Sequence, residues 1–222
     1  MPRLPARAGF AAAFLATAMS VTWAGTSVLA RLTDTVAVGA NTFTTAAAFC
    51  AGSTNVLTAT ADAHVDADSS SNVSDENQNG ATNTYLDVWA DGNDRRSLVN
   101  FALPTVPAGC TITSATLAFT TISGATGRTL HASRATATWT ETGVTWNNQP
   151  AVATPAATAS STATVGAVVS FTVTSQVQAM YPSSAFGFVV KDSTEAGTAY
   201  QRYHSRESTS TTKRPKLTVV IG

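Results

Sequence analysis

The chain has 222 residues, a formal net charge of +0 and only 12% charged residues. That is about half the charged share of an ordinary globular protein, and it excludes capture of nucleic acid or of an anionic membrane by a basic surface. Ala, Thr, Ser and Val dominate while Lys and Glu are scarce; Thr and Val favour strands and Ser, Gly and Pro favour turns, so the expected class is all-β.

Residues 1–30 read as a cleavable export signal. Arg3 and Arg7 form a basic region, Gly9–Ala24 is apolar and rich in small residues, and Val28-Leu29-Ala30 offers a small residue at a cleavage position. The apolar stretch is short and interrupted for a membrane span; retention as an anchor is the alternative. A secreted or cell-surface protein is expected, with no membrane attachment after cleavage. Residues 31–55 form an extended lead-in containing the run Thr42-Phe43-Thr44-Thr45.

Residues 56–222 then read as one domain. Its predicted strands are Val56–Val65, Thr84–Trp89, Arg95–Leu103, Cys110–Thr121, Arg128–Thr138, Val168–Val173, Ala185–Lys191, Tyr200–Ser205 and Lys216–Ile221. Short strands at intervals with turn signals between them are the pattern of a sandwich or barrel. Ala185–Lys191 and Tyr200–Ser205 are expected to pair around the loop Asp192–Thr198. Ala151–Thr164 is low in complexity and read as loop, and Thr174–Tyr181 as one or two helical turns. Cys50 and Cys110 form an even pair in an exported chain, which predicts one disulfide between the lead-in and the start of a later strand.

Trp139–Pro150 holds two of the four tryptophans within eight residues. Glu141, Gly143, Asn147, Asn148 and Pro150 are turn formers, and Val144-Thr145-Trp146 is a strand-type run. Trp139 and Trp146 are expected as buried plugs of the β-fold, with Glu141 and Asn147 holding the corner; large aromatics dominate cores of this size.

These features resemble the DNRLRE domain family, grouped with carbohydrate-binding modules of secreted bacterial proteins. The matching pieces are Ala61-Asp62-Ala63-His64-Val65, Leu86-Asp87-Val88, Arg96–Leu103, Val106–Cys110, Ile112–Leu117, the tryptophan corner, Gly187-Phe188, Ser205-Arg206-Glu207 and Arg214–Leu217. The resemblance implies a jelly-roll-like antiparallel β-sandwich. It also implies a secreted, non-catalytic polysaccharide-binding role, often beside a lyase or glycosidase, here without an accompanying catalytic domain. Leu32–Thr35 and Gly39–Phe43 are similar to the start of camelysin-type exported proteins of Gram-positive bacteria. That likeness implies a Gram-positive source and a rival reading, a structural cell-surface or biofilm-matrix protein. Self-association or a separate enzyme partner stays open.

Sugar binding needs flat aromatic faces for pyranose C–H groups and polar groups for hydroxyls. If Leu86 and Val88 face the core, alternation sends Tyr85, Asp87 and Trp89 to the other side. Tyr85 and Trp89 then form an exposed ladder about 13 Å long, with Asp87 between them. Tyr200, Arg202 and His204 alternate in the same way and form a second patch.

Catalysis is not expected. His64, His131 and His204 have no metal spacing, and no nucleophile elbow, zinc motif or phosphate loop is present. A hydrolase or lyase is the third alternative. A glycosidase needs two facing carboxylates; Glu141, Glu195 and Glu207 are available, with Glu141 and Glu207 expected to bond turns or pair with Arg206. No cofactor is expected. The loop Asp66–Asn72 has oxygen ligands at alternate positions but lacks the Gly and Glu of a calcium loop, so a structural calcium is left open with no ligands assigned.

Overall fold

A computed structural model describes residues 50–67, 84–92, 94–183, 185–195 and 197–222, together with the backbone of 37–38 and 41–42. The expected signal, most of the lead-in and most of the polar loop after residue 67 lie outside the described residues. The chain divides into two units, Met1–Thr45 and Ala46–Gly222. In the first, β1 (Ala37–Val38) pairs antiparallel with β2 (Asn41–Thr42).

The second unit carries β3 (Ser53–Thr58), β4 (Ala61–Asp66), β5 (Tyr85–Ala90), β6 (Arg95–Asn100), β7 (Ile112–Gly124), β8 (Thr129–Arg134), β9 (Ala157–Ser160), β10 (Val168–Thr172), α1 (Thr174–Ser183), β11 (Phe188–Asp192), β12 (Ala199–His204) and β13 (Lys216–Ile221). The strands run β3-β13-β7-β12-β5-β6-β11-β8-β9, with β10 added to β7 and β4 to β6. Every described ladder is antiparallel, and the sheet curls into a half-barrel, in keeping with the expected all-β sandwich class. The curl turns on the β5–β6 hairpin. Their described ladder has one register pair, Trp89 with Arg95, beyond which β5 runs in a six-pair ladder with β12 and β6 in a six-pair ladder with β4.

Phe119, Phe171, Phe188, Tyr203, Leu86, Leu117, Leu130 and Leu217 fill the main core. The Phe119 ring meets Phe171 edge-on at 6.3 Å and tilts against Tyr203 at 5.4 Å. Each such side chain contributes about 1.5–3 kcal/mol by leaving water. The tryptophans of the corner are not in this core. Along β11, Phe188 and Val190 join it while Val189 points the other way. With Ala63, Val65, Leu98, Ala135 and Val144, Val189 forms a second cluster on the opposite face, and Trp139, Trp146 and Phe186 pack against that cluster. The expectation of buried plugs is corrected accordingly. β11 is apolar on both faces over Phe188–Val190, and the half-buried indoles pack against the second.

Three further expectations change. Val56–Val65 is two strands, broken at Ala59-Thr60, because β3 pairs with β13 and β4 with β6. Ala151–Thr164 is not all loop: β9 pairs with β8, and its Ala/Thr run alternates in burial like any strand edge. β11 and β12 do not pair with each other; β11 lies between β6 and β8, and β12 between β5 and β7. Asp192 closes the end of β11. Its carboxylate accepts two hydrogen bonds from Arg128, at 2.9 and 2.8 Å, which ties the strand end to the segment entering β8.

The expected helical turn is the ten-residue α1, which buries Gln176, Val177 and Met180. Gly187, at φ +78°, brings the entry to β11 so close to β6 that a Cβ there would collide with the Val99 carbonyl. The expected Cys50–Cys110 disulfide is formed, with Cα atoms 4.9 Å apart and a sequence separation of 60. It ties the approach to β3 to the approach to β7. A loop of that length is stabilised by about 4 kcal/mol in the chain-entropy account. Among the described residues, no helix is long and apolar enough to cross a membrane.

Candidate functional site

The β5–β12 register places the residues of interest. Trp89 lies opposite Tyr200, Asp87 opposite Arg202 and Tyr85 opposite His204. Directly opposed residues project from the same face of a sheet. Leu86, Val88 and Tyr203 belong to the main core, so the other six share the face turned away from it. The two patches read separately from the sequence are therefore one patch, three cross-strand pairs long.

Its base is Asp87, which is fully buried. Oδ1 accepts from Arg202 Nε at 2.7 Å, and Oδ2 accepts from Arg202 Nη2 at 2.8 Å and from Arg95 Nη1 at 3.0 Å. Asp87 is thus not a free carboxylate between exposed rings, as expected, but the anchor for two guanidinium groups. Each guanidinium lies over a ring, Arg202 over Tyr85 at 3.8 Å and Arg95 over Trp89 at 4.0 Å. Trp89 in turn tilts against Tyr200 at 6.0 Å, and His64 stacks on Tyr85 at 5.8 Å. Tyr85 and Trp89 are half-buried, so the exposed ladder is corrected to a mixed surface of ring and guanidinium; Tyr200 is its open aromatic, 45% exposed.

The electrostatics fix the arrangement. Arg95 also bonds Asp66, its cross-strand partner on β4, at 2.7 Å. Two arginines and two aspartates balance, so the face is held in place without net charge. Hydrogen bonding to Asp87 raises the Arg202 pKa and keeps that side chain charged. His204 accepts from or donates to the Ser208 hydroxyl at 3.0 Å, and burial, with Lys213 nearby, pushes its pKa down. Arg95 was missed from the sequence. Its signal was there: in Arg95-Arg96, alternation sends the two side chains to opposite faces, and each meets a tryptophan, Arg95 on Trp89 and Arg96 on Trp146 at 4.3 Å.

The tryptophan corner is a separate assembly. Trp139 Nε1 donates to the Phe186 carbonyl at 2.8 Å. Arg96 bonds both oxygens of Glu195, at 2.6 and 2.8 Å, and Gln149 at 3.1 Å. Asn147 is exposed, and its neighbour Asn148 closes the turn instead. The Asn148 Oδ1 accepts from Thr145 N at 2.6 Å and its Nδ2 donates to Gly143 O at 2.9 Å. Glu141 accepts from Arg206 at 2.7 Å through each oxygen and from the Asp62 N–H at 3.1 Å. Arg206 also pairs with Glu207 at 2.8 Å, so the expected Arg206 pairing holds for both glutamates. Glu195 lies in a different cluster, with Arg96 and Lys191. Asp66, first of the loop weighed for calcium, is committed to Arg95; residues 68–72 lie outside the described residues.

Fold and face together define an all-β module that presents aromatic rings and fixed guanidinium groups on one ladder. Residues 53–221 match carbohydrate-binding module family 96, and the chain belongs to that family. A comparison with curated proteins finds no match.

Proposed function

We propose that this chain is a secreted, non-catalytic module that holds an extracellular polysaccharide on the β5–β12 face. The observation that carries the reading is the register, which gathers Tyr85, Asp87, Trp89, Tyr200, Arg202 and His204 on one side of one ladder in a chain of a carbohydrate-binding family. Pyranose C–H faces pack on Tyr200 and the neighbouring Trp89, and sugar hydroxyls accept from the guanidinium edge of Arg202. The charge network holds these groups in place before the glycan arrives, so little order has to be imposed on binding.

Export is supported by the basic and apolar pattern of residues 1–30 and by the Cys50–Cys110 bond, which belongs to oxidising compartments. A binding rather than a cleaving role is supported by the state of the carboxylates. Glu141 is committed to Arg206, and the Glu207 side chain is only 7% exposed, so they do not face each other across an open cleft. The test is depletion of the purified chain from solution by a panel of insoluble polysaccharides, with the supernatant assayed for new reducing or unsaturated sugar ends. Saturable depletion by one glycan without new ends is expected. New chain ends would overturn the non-catalytic reading, and no depletion by any member would overturn binding to insoluble glycans.

A further inference from the structure

Asp62 on β4, Glu141 in the tryptophan corner and Glu207 just beyond β12 each offer a carboxylate oxygen within 4.8 Å of the others. The cluster joins three segments far apart in the chain, and Arg206 is the cation bonded to it. Three carboxylates against one guanidinium leave two formal negative charges. Arg206 Nε reaches Glu141 Oε1 and Glu207 Oε1, its Nη2 reaches Glu141 Oε2, and its backbone N–H reaches Asp62 Oδ2. Two oxygens are then left over. Asp62 Oδ1 and Glu207 Oε2 are buried and accept from none of the described residues, and the Asp62 side chain is fully buried.

Such oxygens are expensive. A buried acceptor without a partner costs about 1–3 kcal/mol, and more when charged. Carboxylate oxygens alone make up the donor set, with no imidazole or thiolate. That chemistry suits a hard divalent cation, and calcium tolerates the mixed mono- and bidentate geometry better than magnesium, which demands a near-ideal octahedron.

We propose that Asp62, Glu141 and Glu207 bind one calcium ion through the Asp62 Oδ1 and Glu207 Oε2 oxygens, and that the ion ties β4, the tryptophan corner and the turn after β12 together. Water completes the shell. Arg206 competes for the same carboxylates, so the affinity falls in the range of extracellular modules, a Kd of about 0.1–1 mM.

The experiment uses the purified full chain, stripped with EDTA and dialysed at neutral pH. CaCl2 is titrated in by calorimetry, with MgCl2 at the same ionic strength as the control, and thermal unfolding is followed in parallel. One calcium per chain is expected, with a melting temperature about 3–6 °C higher at a tenfold excess over Kd. Terbium chloride reports the location, because Trp139 lies two residues from Glu141 and sensitises a bound lanthanide; calcium displaces that signal. Asp62→Asn and Glu207→Gln each weaken calcium binding at least about tenfold through the lost ligand charge. If Asp62→Asn fails to fold, the Glu207→Gln titration and the wild-type calcium and EDTA melts still decide. A flat titration with unchanged melting overturns the proposal and leaves a proton shared between Asp62 and Glu207 as what satisfies them. Undiminished calcium binding in Glu207→Gln overturns it too, since the ion then sits elsewhere.

Discussion

Asp87 and Arg202 face each other across the β5–β12 ladder, and the guanidinium gives the buried carboxylate two hydrogen bonds. Arg95 adds a third. The two cations lie near one another because one anion lies beneath them. Asp87→Ala removes that anion and leaves two partly buried guanidinium groups to repel. A loss of about 3–5 kcal/mol is expected, read as a lower urea midpoint at unchanged slope. Arg202→Met should cost less, since Asp87 keeps Arg95 and the Arg202 side chain is 32% exposed. Equal costs for the two variants would show that the carboxylate is not the organising group.

The Cys50–Cys110 bond closes a loop that contains β3, β4, β5 and β6. The double variant Cys50→Ser, Cys110→Ser should lose about 4 kcal/mol, or roughly 8–16 °C in melting temperature. Wild-type protein melted in a strong reductant should follow the variant. A reduced protein that melts with the oxidised one would place the stabilisation elsewhere.

Trp139 is tested as a polar clasp rather than a plug. Trp139→Phe keeps an aromatic over the second cluster but leaves the Phe186 carbonyl without its indole donor. An expected cost of about 1–2 kcal/mol follows from the lost hydrogen bond, measured by chemical denaturation. If the variant is as stable as the wild type, packing alone holds the corner.

Acid should act on the Asp62 cluster in the opposite sense to most carboxylates. The raised folded pKa of Asp62 comes from burial, reinforced by Glu207 and Glu141 and opposed by Arg206. Stability from such a group is fully present below the unfolded carboxylate pKa of about 4 and is lost as pH rises through the folded value. In EDTA, the wild type should therefore lose melting temperature toward neutral pH relative to Asp62→Asn, and calcium should restore it. Glu195 works the other way. Burial would raise it, but hydrogen bonds from Arg96 and Lys191 hold it lower, so its contribution is present at neutral pH and lost in acid. Parallel pH profiles for wild type and Asp62→Asn would contradict this assignment.

Local patterns in the chain were legible because they are local. Leu86 and Val88, taken as inward, do face the main core, β13 was found to the residue, and the two cysteines announced their bond. Pairings between distant strands were not legible. Turn residues at 192–198 mark a connection, but β11 pairs with β6 and β8, and Asp192 at its end reaches Arg128, 64 residues away. The tryptophans were recognised but expected as buried plugs, because the run Phe188-Val189-Val190 is buried on both sides and hides that its second side takes half-buried indoles as a cover. The carboxylate cluster was half visible. Arg206 pairing with Glu141 and Glu207 was anticipated, whereas Asp62 sits between two alanines and meets Arg206, 144 residues on, only in the fold.

Affinity electrophoresis in a gel containing the polysaccharide that retains the wild-type chain tests the binding face most directly. Tyr200→Ala removes its most open ring, and Tyr181→Ala removes a comparably exposed ring on α1, 37% against 45% exposed. The account predicts that Tyr200→Ala loses about tenfold in affinity, near 1.4 kcal/mol, and runs close to its mobility in a gel without glycan, while Tyr181→Ala stays retarded like the wild type. Retardation of both variants equal to that of the wild type would contradict it.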